Sequence, residues 1–123
     1  MKRKVLVVDD EKDIGDSFKE LLERRNCQVF TALKSEDAWE IFQKERPQAC
    51  SIDIHMPSSA FDGLELLRKI RDVDKEVFCI VFTVEEEREA KERAEKLGAN
   101  IYRQKPASID ELEEIIGLLA GRK

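Results

Sequence analysis

The feature that most constrains this chain is the repeated alternation of short, wholly apolar runs with longer amphipathic segments. The first run, Val5–Val8, has no polar residue at alternate positions, which is typical of a strand buried on both faces of a sheet. The segment after it places Ile14, Phe18 and Leu22 on one helical stripe. Five such strands alternating with five helices predict βαβ units and a parallel sheet covered by helices on both faces.

Local signals give the limits of the predicted elements. Ser35 is expected to cap the second helix, and Asp62-Gly63 to form the turn before the third. Gly98 is expected to stop the fourth helix, and Ser108 to open the fifth with a capping box to Glu111. The predicted strands are Val5–Val8, Gln28–Ala32, Ala49–Asp53, Val77–Phe82 and Asn100–Gln104.

Composition bounds the class of protein. The 123 residues suit a single domain, expected to span 1–123 with no output domain in the chain. The net charge of −5, without a basic stripe, argues against direct nucleic-acid binding. No apolar run is long enough to cross a membrane, and three isolated cysteines suit buried thiols in a reducing compartment. We therefore expect a cytoplasmic protein.

Charged or hydroxyl side chains stand at the ends of four of the five predicted strands. Asp9 and Asp10 follow the first strand, Asp53 ends the third, Thr83 follows the fourth and Lys105 follows the fifth. In a parallel sheet of this kind, ligands bind beyond the carboxyl ends of the strands, where the winding reverses. The pattern therefore predicts that these side chains converge on one site.

The chemistry of these residue types indicates a phosphoryl-transfer site. Carboxylates that lie close together repel one another and need a cation, and Mg²⁺ favours a few carboxylates together with water. Lys105 supplies a compact positive charge for a carboxylate or a phosphoryl oxygen, and the Thr83 hydroxyl supplies a hydrogen-bond donor. An aspartate among these groups is suited to act as the nucleophile.

Four sequence segments together resemble a known family. They occur in the family's order and at about its spacing, and they are VLVVDDE, SIDIHMP, VFTV and YRQKP. The chain closely resembles the response-regulator receiver domain of two-component signalling, of the chemotaxis-regulator type, over nearly its whole length. The resemblance implies an α/β, flavodoxin-like, doubly wound (βα)5 fold with strand order 2-1-3-4-5.

The resemblance also implies roles for the acidic residues. Asp53 matches the phosphoacceptor of the family. Asp10, Asp53 and the backbone carbonyl of His55 match the direct ligands of Mg²⁺, whereas Asp9 matches a residue that acts mainly through water. The implied phosphoryl donor is a phosphohistidine on a sensor histidine kinase or a phosphotransfer protein.

Further roles implied by the resemblance concern the fourth and fifth strands. Thr83 matches the threonine that reorients to hold the phosphoryl group, and Tyr102 matches the switch aromatic that turns inward when the threonine moves. Lys105 matches the lysine that pairs with the phosphoryl group, and the Lys105-Pro106 bond is often cis in the family. The implied activity is a signalling switch whose only catalysis is self-phosphorylation and slow autodephosphorylation.

Two positions depart from the family pattern. The stretch Ser58–Phe61, between the proline and the glycine of the loop, is longer than usual, which alters the lip of the site. Val84 is bulkier than the small residue that the family favours after its threonine, and we expect it to narrow access to Asp53. We expect both departures to affect the rate of phosphorylation and the fit of partner proteins more than whether the protein is phosphorylated.

Other functions fit these residues less well. An aspartate-nucleophile phosphatase needs a second acid two residues after the nucleophile, where this chain has His55. A nucleotide-binding protein needs a Gly-rich phosphate loop, which follows none of the predicted strands. A receiver-like docking module that no longer cycles phosphate stays open as the alternative. The charged helix Glu85–Lys96, with the rest of residues 85–121, is a candidate surface for an effector or for self-association.

Overall fold

The structure is a computed structural model that describes residues 2–84 and 88–121. Strands and helices alternate along the described chain. The strands are β1 (Arg3–Val8), β2 (Cys27–Ala32), β3 (Ala49–Ile52), β4 (Phe78–Thr83) and β5 (Ile101–Gln104). The helices are α1 (Lys12–Glu23), α2 (Ser35–Glu45), α3 (Gly63–Val73), α4 (Arg88–Lys96) and α5 (Ile109–Leu119). The predicted start of the fourth helix at Glu85 lies outside the described residues.

The strands form one parallel sheet in the order β2-β1-β3-β4-β5, which confirms the predicted fold. β1 lies between β2 and β3, and Val8 at its end is in register with Ala32 on one side and Ile52 on the other. The winding reverses between β1 and β3. This is the switch point at which a ligand site is expected in an open α/β sheet.

Alternate residues of each inner strand face two different apolar layers. Leu6 and Val8 pack into the layer that contains residues of α2, α3 and α4, whereas Val5 and Val7 pack into the layer that contains residues of α1 and α5. All four side chains are buried. Burial on both faces explains why the run shows no polar alternation.

The structure confirms three of the predicted helix boundaries. The Asp62 side chain accepts a hydrogen bond from the Glu65 N–H (2.9 Å) at the start of α3. Ser108 and Glu111 form the predicted capping box of α5. Gly98 follows α4 with a φ of 104°, a left-handed conformation that favours glycine and ends the helix.

The prediction for the start of α2 is wrong. Ser35 is the first residue of the helix rather than its cap, and its buried hydroxyl has no hydrogen-bond partner among the described residues. The Ser35 N–H instead donates to the Ser59 hydroxyl (2.9 Å). The loop between β3 and α3 carries Ser59 to the start of α2, so a distant hydroxyl serves where a local cap was expected.

Two remaining predictions concern thiols and membranes. Cys27, Cys50 and Cys79 are free and buried, as expected of cysteines that pack as small apolar residues. Within residues 2–84 and 88–121, no helix has the length and apolar character needed to span a lipid bilayer.

Candidate functional site

The site lies at the carboxyl edge of the sheet, on both sides of the switch point. Asp9 directly follows β1, and its N–H donates to the Ala32 carbonyl of β2 (3.1 Å). Asp53 directly follows β3, and its N–H donates to the Val8 carbonyl of β1 (3.0 Å). These bonds extend the strand ladders by one residue. The sheet itself therefore holds both acids, each of which is 4% exposed.

Asp9, Asp10 and Asp53 form a compact acidic cluster. One carboxylate oxygen from each lies within 4.8 Å of those of the other two. Asp10 is exposed, whereas the other two are buried. Oxygen ligands that combine buried and solvent-facing positions fit a hard divalent cation that keeps several waters. The structure therefore brings together the three carboxylates that were predicted to act on a metal.

Lys105 joins this cluster from the end of β5. Its Nζ lies 2.7 Å from Asp9 Oδ2, 3.2 Å from Asp53 Oδ2 and 3.9 Å from Glu11 Oε1. The lysine is buried, and the Lys105-Pro106 peptide bond is cis, as the resemblance implies. An ammonium between two buried carboxylates offsets part of the negative charge of the cluster.

Burial and ion pairing shift the pKa values of Asp9 and Lys105 in opposite directions. Burial raises the pKa of Asp9 to about 6, although its hydrogen bond with Lys105 acts to lower that pKa. Burial alone would lower the pKa of Lys105, but its hydrogen bond with Asp9 and the charge of Asp53 outweigh burial, and the net shift is upward. Lys105 is therefore charged at neutral pH, and Asp9 loses its proton near pH 6 in the metal-free protein.

Different groups hold the two oxygens of the Asp53 carboxylate. Oδ1 accepts the His55 N–H (3.3 Å), and Oδ2 accepts a hydrogen bond from Lys105 Nζ (3.2 Å). The His55 side chain is exposed, so its backbone is the part that reaches the acid. Gly63 was predicted as a turn residue, but it also has a packing role. A Cβ there would overlap the Asp53 carbonyl oxygen, so glycine lets α3 begin beside the site.

The two predicted switch residues lie on adjacent strands. Thr83 is the last residue of β4 and is fully buried, and its carbonyl accepts the Lys105 N–H (2.8 Å). Tyr102 is half-buried on β5, in register with Val81, and packs against the layer that contains residues of α2, α3 and α4. The backbone of Thr83 thus lies beside that of Lys105, whereas Tyr102 lies within the neighbouring strand. Their roles as a switch remain predictions.

The residues on either side of Thr83 shape the surroundings of the lysine. Phe82, which the sequence reasoning missed, places its ring centroid 5.5 Å from Lys105 Nζ, within range of a cation–π interaction. The sequence offered one signal for this contact, which is the aromatic residue directly before the predicted switch threonine, Thr83. Val84 is 52% exposed and lines a groove of about 440 Å³ that also contains Phe82 and Lys105. Its effect on access to Asp53 remains a prediction.

Comparison with known proteins decides the family. The model of the response regulator receiver domain matches residues 5–117, nearly the whole chain. The chain belongs to the response-regulator receiver-domain family. This receiver domain is accordingly a phospho-accepting signalling switch that interacts with histidine kinases or phosphotransfer proteins, and the findings do not favour a docking module without phosphate chemistry. Its acidic cluster corresponds to the pocket at which receiver domains bind a divalent metal.

Relatives support this assignment over nearly the whole length of the receiver domain. Sporulation initiation phosphotransferase F of Bacillus subtilis (strain 168) is 30% identical over 116 residues, which are 94% of this chain and 92% of that protein. A CheY-like receiver domain protein from Methanospirillum hungatei JF-1 is 28% identical with a TM-score of 0.87, covering 97% of this chain and 94% of that chain.

A further solved structure contains the modified form of a related protein. This response regulator protein from Burkholderia pseudomallei contains a phosphorylated aspartic acid, a calcium ion and citrate. It is 26% identical with a TM-score of 0.84, and the alignment covers 98% of this receiver domain and 68% of that chain. The structure of that protein therefore contains both a phosphoaspartate and a divalent cation.

Proposed function

We propose that this receiver domain accepts a phosphoryl group on Asp53 in a Mg²⁺-dependent reaction and changes conformation as a result. The observation that carries the proposal is the position of Asp53 Oδ2, which lies 3.2 Å from the Lys105 ammonium inside a cluster shared with Asp9 and Asp10. A carboxylate in this position is close to a positive charge for a phosphoryl oxygen and to oxygen ligands for a metal.

The donor set supports Mg²⁺ as the metal. Asp10, Asp53 and the His55 carbonyl would hold it directly, and Asp9 would act through water. When bound, Mg²⁺ neutralises charge on the phosphoryl oxygens during transfer. The cluster offers carboxylate oxygens, one of them on an exposed residue, as suits a cation that keeps part of its water shell.

Asp53 and Lys105 carry the transfer step. A carboxylate oxygen of Asp53 attacks the phosphorus of a phosphohistidine, the P–N bond breaks, and its electron pair leaves with the imidazole, which takes up a proton. The product is an acyl phosphate on Asp53. The Lys105 ammonium then donates to a phosphoryl oxygen, while its bond to Asp9 (2.7 Å) keeps it at the site.

The conformational response is proposed to run through β4, β5 and α4. The Thr83 hydroxyl would turn to donate to the phosphoryl group, and Tyr102 would move inward with it. The buried residues of α4 are Ala90 and Ala94, so little apolar area holds this helix to the sheet. We propose that an effector or a second copy of the chain binds within residues 85–121.

We infer that the protein turns over no external substrate, and that its chemistry is limited to its own phosphorylation and slow autodephosphorylation. A sensor histidine kinase or a phosphotransfer protein would supply the phosphoryl group. Free, buried cysteines at positions 27, 50 and 79 support a reducing compartment, the cytoplasm, as the place of action.

Incubation with Mg²⁺ and acetyl phosphate, followed by intact-protein mass spectrometry, tests this function. The wild type should gain one phosphoryl group, and Asp53→Asn should gain none because it lacks the nucleophile. Asp72→Asn is the matched control, since Asp72 is exposed on α3 and paired with Arg68, and it should react like the wild type. Absence of an adduct on the wild type would favour the docking module, and turnover of acetyl phosphate that persists in Asp53→Asn would indicate an enzyme.

A further inference from the structure

The loop between β3 and α3, residues 54–62, is attached to the start of α2 by two hydrogen bonds, each from a backbone N–H to a side-chain oxygen. Ser59 Oγ accepts the Ser35 N–H at 2.9 Å, so the loop caps the helix. In the reverse direction, Glu36 Oε1 accepts the Ala60 N–H at 3.0 Å, and this bond holds the pKa of Glu36 below its ordinary value. Each segment thus supplies an acceptor for a backbone N–H of the other.

A third contact extends this attachment to α3. Lys69 Nζ lies 5.2 Å from the centroid of the Phe61 ring and 5.7 Å from that of the Trp39 ring. The lysine therefore bridges an aromatic residue of the loop and one of α2. These three contacts, at Ser59, Ala60 and Phe61, are called the α2 latch below.

The latched loop begins at the phosphorylation site. The His55 N–H donates to Asp53 Oδ1 (3.3 Å), so the first peptide units of the loop contact the acid directly. Within the loop, the Ser59 N–H donates to the Met56 carbonyl (3.0 Å). This bond connects the latch to the residue that follows His55. A displacement of Ser59 would therefore be transmitted to the His55 peptide.

We propose that Ser59 and Glu36 are positioning residues that, by latching the loop to α2, hold the His55 backbone beside the acidic cluster, with its N–H on Asp53, where its carbonyl would be available to a metal. The inference rests on the proposed function and deepens it. Its physical basis is preorganisation, because a loop that is already ordered loses less conformational entropy when the cation binds. It gives a use to the unusual stretch Ser58–Phe61, since residues 59–61 make all three latch contacts.

Titration calorimetry with Mg²⁺ alone on the full chain tests the latch. Ser59→Ala and Glu36→Ala should each weaken Mg²⁺ binding by about fivefold, as expected for one lost hydrogen bond. Glu36→Gln keeps an oxygen that can accept the Ala60 N–H, and it should retain most of the wild-type affinity. Ser58→Ala is the matched control, because Ser58 is the exposed neighbour of Ser59, and it should bind Mg²⁺ like the wild type.

Two readouts separate a positioning role from a merely structural one. Amide hydrogen exchange should accelerate at Ser35 in Ser59→Ala, and thermal unfolding reports any general loss of stability. If Ser59→Ala and Glu36→Ala lose stability but keep the wild-type Mg²⁺ affinity, the latch is structural and the inference is wrong. Glu36 lies at the surface of α2, so its variants test the inference even if Ser59→Ala does not fold.

Asp10→Asn distinguishes failure of this inference from failure of the proposed function. It should weaken Mg²⁺ binding more than any latch variant, because it removes a carboxylate of the acidic cluster. If Asp10→Asn binds Mg²⁺ weakly while the latch variants bind normally, the latch inference alone fails. If Asp10→Asn binds Mg²⁺ like the wild type, the proposed metal site fails, and the latch inference fails with it.

Discussion

The two edges of the sheet each hold a cation that joins several elements, but the partners of the two cations differ. At the carboxyl edge, the Lys105 ammonium contacts the carboxylates of Asp9 and Asp53 at 2.7 and 3.2 Å. At the amino edge, the Arg71 guanidinium of α3 donates to uncharged oxygens. They lie at 3.0 to 3.1 Å and belong to the carbonyls of Gly98 and Asp74 and the side chain of Asn100.

This difference indicates which edge can exchange its partners. A carboxylate can exchange a lysine for a metal ion, and a lysine can exchange a carboxylate for a phosphoryl group, because the charges compete for one another. The planar Arg71 guanidinium instead matches several acceptors at once. Asn100 extends that arrangement, since its side-chain oxygen also accepts the Cys79 N–H of β4 (2.8 Å). The carboxyl edge is thus suited to reaction, and the amino edge to holding elements together.

Lys105→Ala should have the largest effect on the reaction. It removes the ammonium that contacts Asp53, so phosphorylation by acetyl phosphate at saturating Mg²⁺ should slow by about 100-fold. Acid quenching followed by intact-protein mass spectrometry gives the rate. Lys44→Ala, at an exposed position on α2, is the control and should react at the wild-type rate. If Lys105→Ala is phosphorylated at a rate close to that of the wild type, this lysine does not take part in the reaction.

Arg71→Ala should have the largest effect on stability and little effect on the reaction. It removes the arginine donor from the Gly98 and Asp74 carbonyls and one of the two donors to the Asn100 side chain. We expect the free energy of unfolding to fall by about 3 kcal/mol in urea titrations. Arg71→Lys should recover part of the loss, because an ammonium does not match the guanidinium geometry. Arg88→Ala is the control, since its side chain is 92% exposed. A slow phosphorylation rate in a stable Arg71→Ala protein would contradict the division between the edges.

The raised pKa of Asp9, at the carboxyl edge, predicts that both the stability of the protein and its affinity for Mg²⁺ depend on pH. The pKa of Asp9 is about 6 in the folded protein, compared with an ordinary value of 3.8. Between these pH values the metal-free folded protein therefore keeps a proton that the unfolded chain has lost. The contribution of Asp9 to stability therefore falls as the pH rises through this window. Mg²⁺ competes with the same proton, so its affinity should fall by up to about tenfold per pH unit below about 6.

Calorimetric Mg²⁺ titrations across this pH range provide the check. Asp9→Asn should flatten the profile, because the group that titrates near pH 6 is gone. Arg71→Ala should keep the wild-type profile, since its partners lie at the other edge. An unchanged profile in Asp9→Asn would assign the titration to a different group.

Ser35→Ala should have the smallest effect of these substitutions, and its effect should be on stability. The Ser35 hydroxyl also differs from the Lys105 and Arg71 side chains in its hydrogen bonding. The Ser35 hydroxyl is buried without a hydrogen-bond partner in the described part of the chain, whereas Lys105 and Arg71 are both paired. Removing this hydroxyl should raise the free energy of unfolding by about 1 kcal/mol, measured by urea denaturation. Ser59→Ala should lower it by a similar amount, because that hydroxyl accepts a helix N–H. A loss of stability in Ser35→Ala would show that its hydroxyl is satisfied.

The sheet and the strand-end residues were predictable because both depend on local patterns. An apolar run without alternation, such as Val5–Val8, identifies a buried strand, and parallel strands place their last residues at one edge. The contact of Asp9 with Lys105 joins residues 96 positions apart. The sheet topology predicted that Asp9 and Lys105 lie near each other. Their hydrogen bond could not be predicted, because it depends on how far the two side chains extend.

The latch was beyond sequence reasoning because it depends on tertiary geometry. Ser35 satisfies the local pattern of a helix cap, and nothing in the neighbouring residues indicates that Ser59 replaces it. The unusual loop was noticed from its length, but its contact with α2 required the positions of both segments. The Phe82 ring under Lys105 was missed for the same reason, since strand periodicity gives the face of a residue and not its partner.

We propose that Asp53 alone carries the phosphoryl group, and borohydride trapping can identify the residue that is modified. Borohydride reduces an acyl phosphate on aspartate to homoserine, so peptide mass spectrometry after reaction with acetyl phosphate and Mg²⁺ identifies the modified residue. We expect homoserine at position 53, dependent on both acetyl phosphate and Mg²⁺, and unmodified aspartate at positions 9 and 10. Homoserine at position 9 or 10, or none at position 53 in protein that has gained a phosphoryl group, would contradict it.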